Sequence, residues 1–168
     1  MMSLPRGLTI MLDRRGRDSR VDTQHASKTS MTYVMKDGQV IICFPKSVKK
    51  SELMTLGDIT RTALITGPTI SKQSLSYIHS VSGEFVASWI YSFDRLQSVL
   101  VPTYTKMDEA SIARFEDLHK CPRGNWPCIR SDDPLVQYLG FRPGMCLQTT
   151  MGGFYRQSVR YVVPATGI

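Results

Sequence analysis

The stretch from Asp133 to Gly144, DPLVQYLGFRPG, leaves the backbone little choice. Asp133-Pro134 reads as an N-cap followed by a first-turn proline. The carboxylate accepts from the open amides of the first turn, and proline has no N–H to lose there. Leu135, Tyr138 and Leu139 give a short helix its apolar stripe. Gly140 then ends it, because a helix terminus is readily closed by a residue at positive φ. Arg142-Pro143-Gly144-Met145 follows, with proline second and glycine third, the order of a type II turn. Residues 145–150 and 158–163 read as paired strands around the loop Gly152-Gly153-Phe154.

Upstream, Val99-Leu100-Val101-Pro102 opens this unit. Asp108 is placed to cap a helix with Ile112, Phe115 and Leu118 on one face. A connector rich in proline and glycine, Cys121 to Pro127, joins that helix to the Asp133 segment. The preceding residues, 31–98, read as a small α/β module. Lys36-Asp37-Gly38 is a hairpin turn signal within 34–44, and Val40 to Phe44 is a buried strand ended by Pro45. Ser47 or Ser51 is expected to cap a short helix carrying Leu53, Met54 and Leu56, with Gly57 past its end. Thr62 to Thr66 is a second buried strand. Ser71 starts a helix with Leu75, Ile78 and His79 on one side. Residues 84–93 fit helix or strand, and the alternation of Trp89, Tyr91 and Phe93 favours a strand for their later part. Residues 1–30, rich in Arg, Ser, Thr and Asp, read as a basic flexible tail.

With 168 residues and 42% hydrophobic content, two modules are affordable, each with a thin core. The net charge of +7 suits work near a polyanion or a solubilising surface. Arg14, Arg15, Arg17, Lys49 and Lys50 are the residues expected to face DNA. The first residues lack a signal-peptide pattern, and no run approaches the roughly 20 apolar residues of a membrane span. An intracellular chain with reduced thiols is therefore expected. Cys43 and Cys146 lie in apolar runs and read as buried thiols. Patterns for a serine nucleophile elbow, a zinc protease, a P-loop or a dinucleotide fold are missing. His119, Cys121 and Cys128 offer zinc-type ligands at an unusual spacing, so no metal and no cofactor are expected. A cysteine-dependent enzyme would need a low-pKa thiol at Cys121 or Cys128. Phe154-Tyr155-Arg156 and Arg160-Tyr161 interleave aromatic and basic residues, as a base-stacking face or as one basic side of a two-stranded sheet.

The ordered pieces Leu100-Val101-Pro102, Trp126-Pro127-Cys128-Ile129, Ser131 to Gly144 and Ser158-Val159-Arg160-Tyr161-Val162 resemble the fifth-largest shared subunit of eukaryotic DNA-directed RNA polymerases and its archaeal counterpart. Asp133, Pro134, Tyr138, Gly140 and Gly144 coincide with the family signature, and Arg142 stands at its lysine. The first half, with Ile42-Cys43-Phe44-Pro45, residues 62–66 and 71–75, is similar to the family's jaw module. Departures are Gln137 at the family's arginine, Leu139 at its second aromatic and Tyr104 at its histidine. They resemble those of a paralogue committed to one polymerase, as in kinetoplastid RNA polymerase I, or of a large-DNA-virus homologue.

The resemblance implies an α+β chain in which a jaw-like module, residues 31–98, precedes an assembly module, residues 99–168. It implies a non-catalytic subunit of the nucleus or nucleolus. Its partners would be the largest polymerase subunit and other subunits rather than a second copy or a membrane, with downstream duplex DNA near the jaw. Tyr138, Arg142 and Arg160 are then expected at the partner interface. Pro102, Asp133, Pro134, Gly140 and Gly144 are expected to set the backbone of the motif. The alternative is a free-standing basic nucleic-acid-binding protein.

Overall fold

The computed structural model describes residues 4–56, 63–98, 101–151 and 154–165, with the backbone alone at 151 and 154–157. The chain is α+β and divides into two units, Met1–Asp94 and Arg95–Ile168. Expectations placed on Gly57, Thr62, Val99, Leu100 and the Gly152-Gly153 loop lie outside the described residues.

The first unit runs α1 (Arg6–Arg14), β1 (Val21–Ala26), β2 (Met31–Met35), β3 (Val40–Cys43), α2 (Lys50–Thr55), β4 (Leu64–Gly67), α3 (Lys72–Ser80) and β5 (Glu84–Ala87). Its sheet has the order β1-β2-β3-β4-β5. The β1–β2 and β2–β3 pairs are antiparallel, whereas β3–β4 and β4–β5 are parallel. The Asp37-Gly38 turn forms as expected: Gly38 adopts φ +81° and donates to the Met35 carbonyl at 2.9 Å. Parallel strands need crossovers, and α2 and α3 provide them. Ser71 caps α3 by accepting from the Ser74 amide at 3.2 Å. The N-cap of α2 is Lys49 rather than Ser47 or Ser51, and the Glu52 carboxylate reaches back to its amide at 3.3 Å. The strand after α3 comes early, at 84–87, and Ser88–Tyr91 is a 3-10 turn. The alternation of aromatics there is not a strand period: Tyr91 is buried, while Trp89 and Phe93 are exposed.

Register assigns the two faces of this sheet. Ile42, Ile65 and Phe85 are neighbours across the strands and share a core with Phe44, Val48, Leu53 and Ile78 from the α2 and α3 side. Ile41, Leu64 and Glu84 therefore face the other way, as do Cys43, Thr66 and Val86. Ile41, Leu64 and Val86 are nonetheless buried. The cover is α1, which closes this face and corrects the expectation of a flexible tail over 1–30. Arg15 at its end bonds Glu84 at 2.8 Å, and Arg14 bonds the buried Asp94 carboxylate at 2.8 Å. At its start, Gly7 lies against the backbone of Tyr91. The Tyr91 hydroxyl is 2.7 Å from that of Thr66 on the same face. Leu8, Met11 and Leu12 are fully buried, worth about 1.5–3 kcal/mol each. Strand β1 adds the sheet's outer edge, again from the residues expected to be a tail.

The second unit runs β6 (Thr103–Lys106), α4 (Glu109–His119), β7 (Cys128–Arg130), α5 (Pro134–Leu139), β8 (Cys146–Met151) and β9 (Phe154–Val163). Its sheet has the order β6-β8-β9-β7, with β7 parallel to β9 and the other pairs antiparallel. One face packs Cys146 and Val159 against Ile112 of α4 and against Trp126. The other packs Leu147 and Val162 against Val136 of α5. Asp108 caps α4 through the Ser111 amide at 2.7 Å. Leu118, expected on the apolar face of α4, is 73% exposed.

The close approach of α1 predicts a large effect from a small change. A Cβ at position 7 would run into the backbone carbonyl oxygen of Tyr91. Gly7→Ala should therefore destabilise the chain by about 1–3 kcal/mol, the range of an overpacked core. Gly124→Ala, with open space around it, serves as the control. Equal urea midpoints for the two variants would remove α1 from its assigned position.

Candidate functional site

The Asp133 segment builds one rigid corner of the second unit. The Asp133 carboxylate accepts from the amides of Leu135 at 2.8 Å and Val136 at 3.2 Å, with Pro134 in the first turn. Gly140 closes α5 at φ +73°, and the Phe141 amide returns to the Val136 carbonyl at 3.0 Å. Gly144 takes φ +91°, and Met145 N–H donates to the Arg142 carbonyl at 3.1 Å, closing the expected turn. That turn is tied to β9: Gly144 N–H donates to Val162 C=O, and Val162 N–H donates to Met145 C=O, each at 2.9 Å. Arg130 grips Asp132 through two bonds of 2.8 and 2.6 Å beside the cap.

The expected interface residues separate. Tyr138 is fully buried and is a core residue, which corrects its assignment as a surface contact. Arg142 is exposed on the turn. Arg160 is half-buried on the α5 face and donates to the Val159 carbonyl at 3.1 Å. It lies close enough to Tyr104 to offset part of that phenol's raised pKa, which burial causes first and the Asp133 charge second. Tyr104, Asp133 and Arg160 thus meet on one face. Pro102 is half-buried just ahead of β6. The side chains of Phe154, Tyr155 and Arg156 lie outside the described residues.

On the opposite face, α4 borders a groove of about 360 Å³ where Met107, Phe115, Leu118 and Val159 are interspersed with polar residues, Arg114 and Gln148 among them. Phe115 lies tilted against His119 and meets Trp126 edge-on, with ring centres 4.2 and 4.9 Å apart. Exposed Leu118 on this groove is a candidate contact that a simple apolar stripe assigns to the core.

In the first unit the expected DNA-facing residues also divide. Arg14 and Arg15 are in ion pairs, and the Arg15 side chain is buried, so neither is a free phosphate contact. Arg17, Lys49 and Lys50 are exposed. Lys50 and Lys72 border a groove of about 460 Å³ with Gln73, Ser76, Tyr77 and Ser80. Lys72 and Tyr77 were not among the expected site residues, yet the spacing 72, 76, 80 places one polar face on a helix.

Thiol chemistry finds no support at Cys43, whose pKa burial pushes up to about 12, or at buried Cys146, where burial also raises it. Among the described residues, no three His, Cys, Asp or Glu side chains are grouped to hold a metal ion. No described helix is long and apolar enough to cross a membrane. Compared with known proteins, the sequence matches no family model and no curated protein.

Two outcomes test this geometry. Asp133→Ala should cost about 1 kcal/mol as a lost cap, and Gly144→Val about 1–3 kcal/mol, because valine resists positive φ. Thermal melts would show both, and an unchanged melt for Gly144→Val would exclude the turn. In brief iodoacetamide labelling at about pH 8, exposed Cys128 should react first. Cys43 is half-buried, and its thiol, pushed up to about 12 by desolvation, should react far more slowly. Peptide mass mapping that finds Cys43 labelled as fast would contradict its raised pKa.

Proposed function

We propose that this chain is a non-catalytic subunit of a multisubunit DNA-directed RNA polymerase. It docks on the largest subunit through residues 95–168 and contributes its first unit to the jaw near downstream duplex DNA. The observation that carries this reading is the form taken by residues 133–144. The positions shared with the polymerase signature, Asp133, Pro134, Gly140 and Gly144, are those that make the cap, the first turn, the stop and the return turn. The shared Tyr138 fills the core behind them. A signature made of backbone-setting residues suits a module that works by presenting a fixed shape.

Two surfaces support docking by apolar contact and shape. One is the α4 groove, where Leu118 stands open beside Phe115. The other is the Arg142 turn, rigid in its backbone and exposed in its side chain. Exposed Arg17, Lys49 and Lys50 supply the positive charge that a jaw near duplex DNA would use. The nucleus, and the nucleolus for a paralogue serving RNA polymerase I, is the compartment this role requires.

Affinity purification of the tagged protein from its native cell, at moderately high salt, tests the proposal. The two largest polymerase subunits should be recovered in near-equal amounts, and Gly144→Val should abolish their recovery while the tagged protein persists. Recovery of the protein alone, or only with nucleic acid that salt removes, would overturn the subunit reading in favour of a free-standing nucleic-acid binder.

A further inference from the structure

The groove along α3 shares only Lys50 with the residues assigned to the jaw. It is a shallow, open groove of about 460 Å³ bordered by Lys50 from the start of α2 and Lys72, Gln73, Ser76, Tyr77 and Ser80 from α3. No carboxylate is among them. Glu52, the acid of α2, is turned back onto the Lys49 amide. Among the described residues, Lys46, Lys49, Lys50 and Lys72 are all exposed and none is in an ion pair. The backbone holds these lysines together. Val48 bridges Ile70, its amide donates to the Thr69 carbonyl at 2.9 Å, and the buried Ser74 hydroxyl donates to the Val48 carbonyl at 3.1 Å.

We infer that this groove binds single-stranded nucleic acid, with phosphates on Lys50 and Lys72 and a base against Tyr77. Tyr77 is half-buried, packed on the core cluster inside and open to the groove outside. An aromatic ring lining the same groove as two ammonium groups matches a strand whose bases are free to stack. A duplex hides its bases and would use the lysines alone, and an acidic peptide would leave the ring uncovered. Gln73 and Ser76 add a neutral donor and acceptor face that suits sugar and base edges. From residue 72 to residue 80, α3 extends about 12 Å, room for a short single-stranded segment. The inference concerns the isolated chain and does not rest on the polymerase reading.

Fluorescence anisotropy on the full chain would test it, using a labelled oligothymidylate of about twelve nucleotides in about 50 mM salt. The single strand should bind more tightly than a duplex of equal length. Lys50→Gln with Lys72→Gln should weaken it about tenfold or more and lower the salt slope by about 1.4, two phosphate contacts on a single strand. Tyr77→Leu should weaken the single strand about five- to a hundred-fold and leave duplex binding unchanged, while Tyr77→Phe keeps binding. All three variants should retain the wild-type far-ultraviolet circular dichroism. Should Tyr77→Leu lose that spectrum, the lysine pair and the Phe variant still decide. Single-strand binding that is absent, or indifferent to the lysine pair, would overturn the site. So would duplex binding of equal strength, or equal competition by poly-glutamate. A failed purification with positive anisotropy would sink the subunit reading alone, and the reverse would sink this site alone.

Discussion

The first unit depends on closing both faces of its parallel strands. Ile41 and Ile42 in β3, and Leu64 and Ile65 in β4, are apolar on successive residues, so each strand points greasy side chains both up and down. The chain covers one face with the two crossover helices. The other face is covered by residues before the first strand, together with the turn that carries Tyr91. Helix α1 is thus required by the sheet, and its fit is narrow. At one end Gly7 lets the helix backbone touch Tyr91; at the other, Arg15 and Glu84 meet in a pair whose arginine is buried. An unpaired buried charge would be costly there. The pair therefore fixes where the helix must lie, more than it adds stability of its own.

The second unit meets the same demand with less material. Its sheet lies between α4 on one face and the short α5 on the other. A helix of six residues cannot persist by its own hydrogen bonds. It persists because Asp133 caps it, Gly140 stops it, and the turn through Gly144 fastens it to β9. The same physics explains why Tyr138 is inside. With little more than one turn available, its side chain has to fill the space between helix and sheet.

How much of this was legible depends on where local chemistry decides. The caps at Asp108, Asp133 and Ser71, the Asp37-Gly38 turn and the turn at Gly144 were readable, because each needs only neighbours in sequence. Residues 1–30 were not. Leu4, Leu8, Met11 and Leu12 do have a helical period, but arginine, serine and aspartate on either side speak for a tail, and only the open sheet face decides the matter. The aromatics at 89, 91 and 93 mislead for the reverse reason. Their alternation imitates a strand, while the 3-10 turn is set by Tyr91 folding under the sheet to reach Thr66. At the candidate sites, sequence marks which residues are basic but not which are already paired. It therefore grouped Arg14 and Arg15 with Lys49 and Lys50.

That division of the charge bears on what each surface can do. Arg14, Arg15, Arg20, Arg123 and Arg130 are all engaged with carboxylates. Guanidinium is suited to this, since its planar fork holds geometry as well as charge. Lys46, Lys49, Lys50 and Lys72 are exposed and outside such pairs. Ammonium groups on long stems adapt to a ligand whose spacing varies, and a polyanion backbone is such a ligand. The positive excess of this chain is therefore not spread evenly. Arg14, Arg15 and Arg123 join separate segments, and the lysines near α2 and α3 are left to act outward. A partner that reads charge would meet in the first unit the lysines near α2 and α3, together with other exposed basic residues such as Arg17. A partner that reads shape has the second unit, where the exposed features are the α4 groove and a fixed turn.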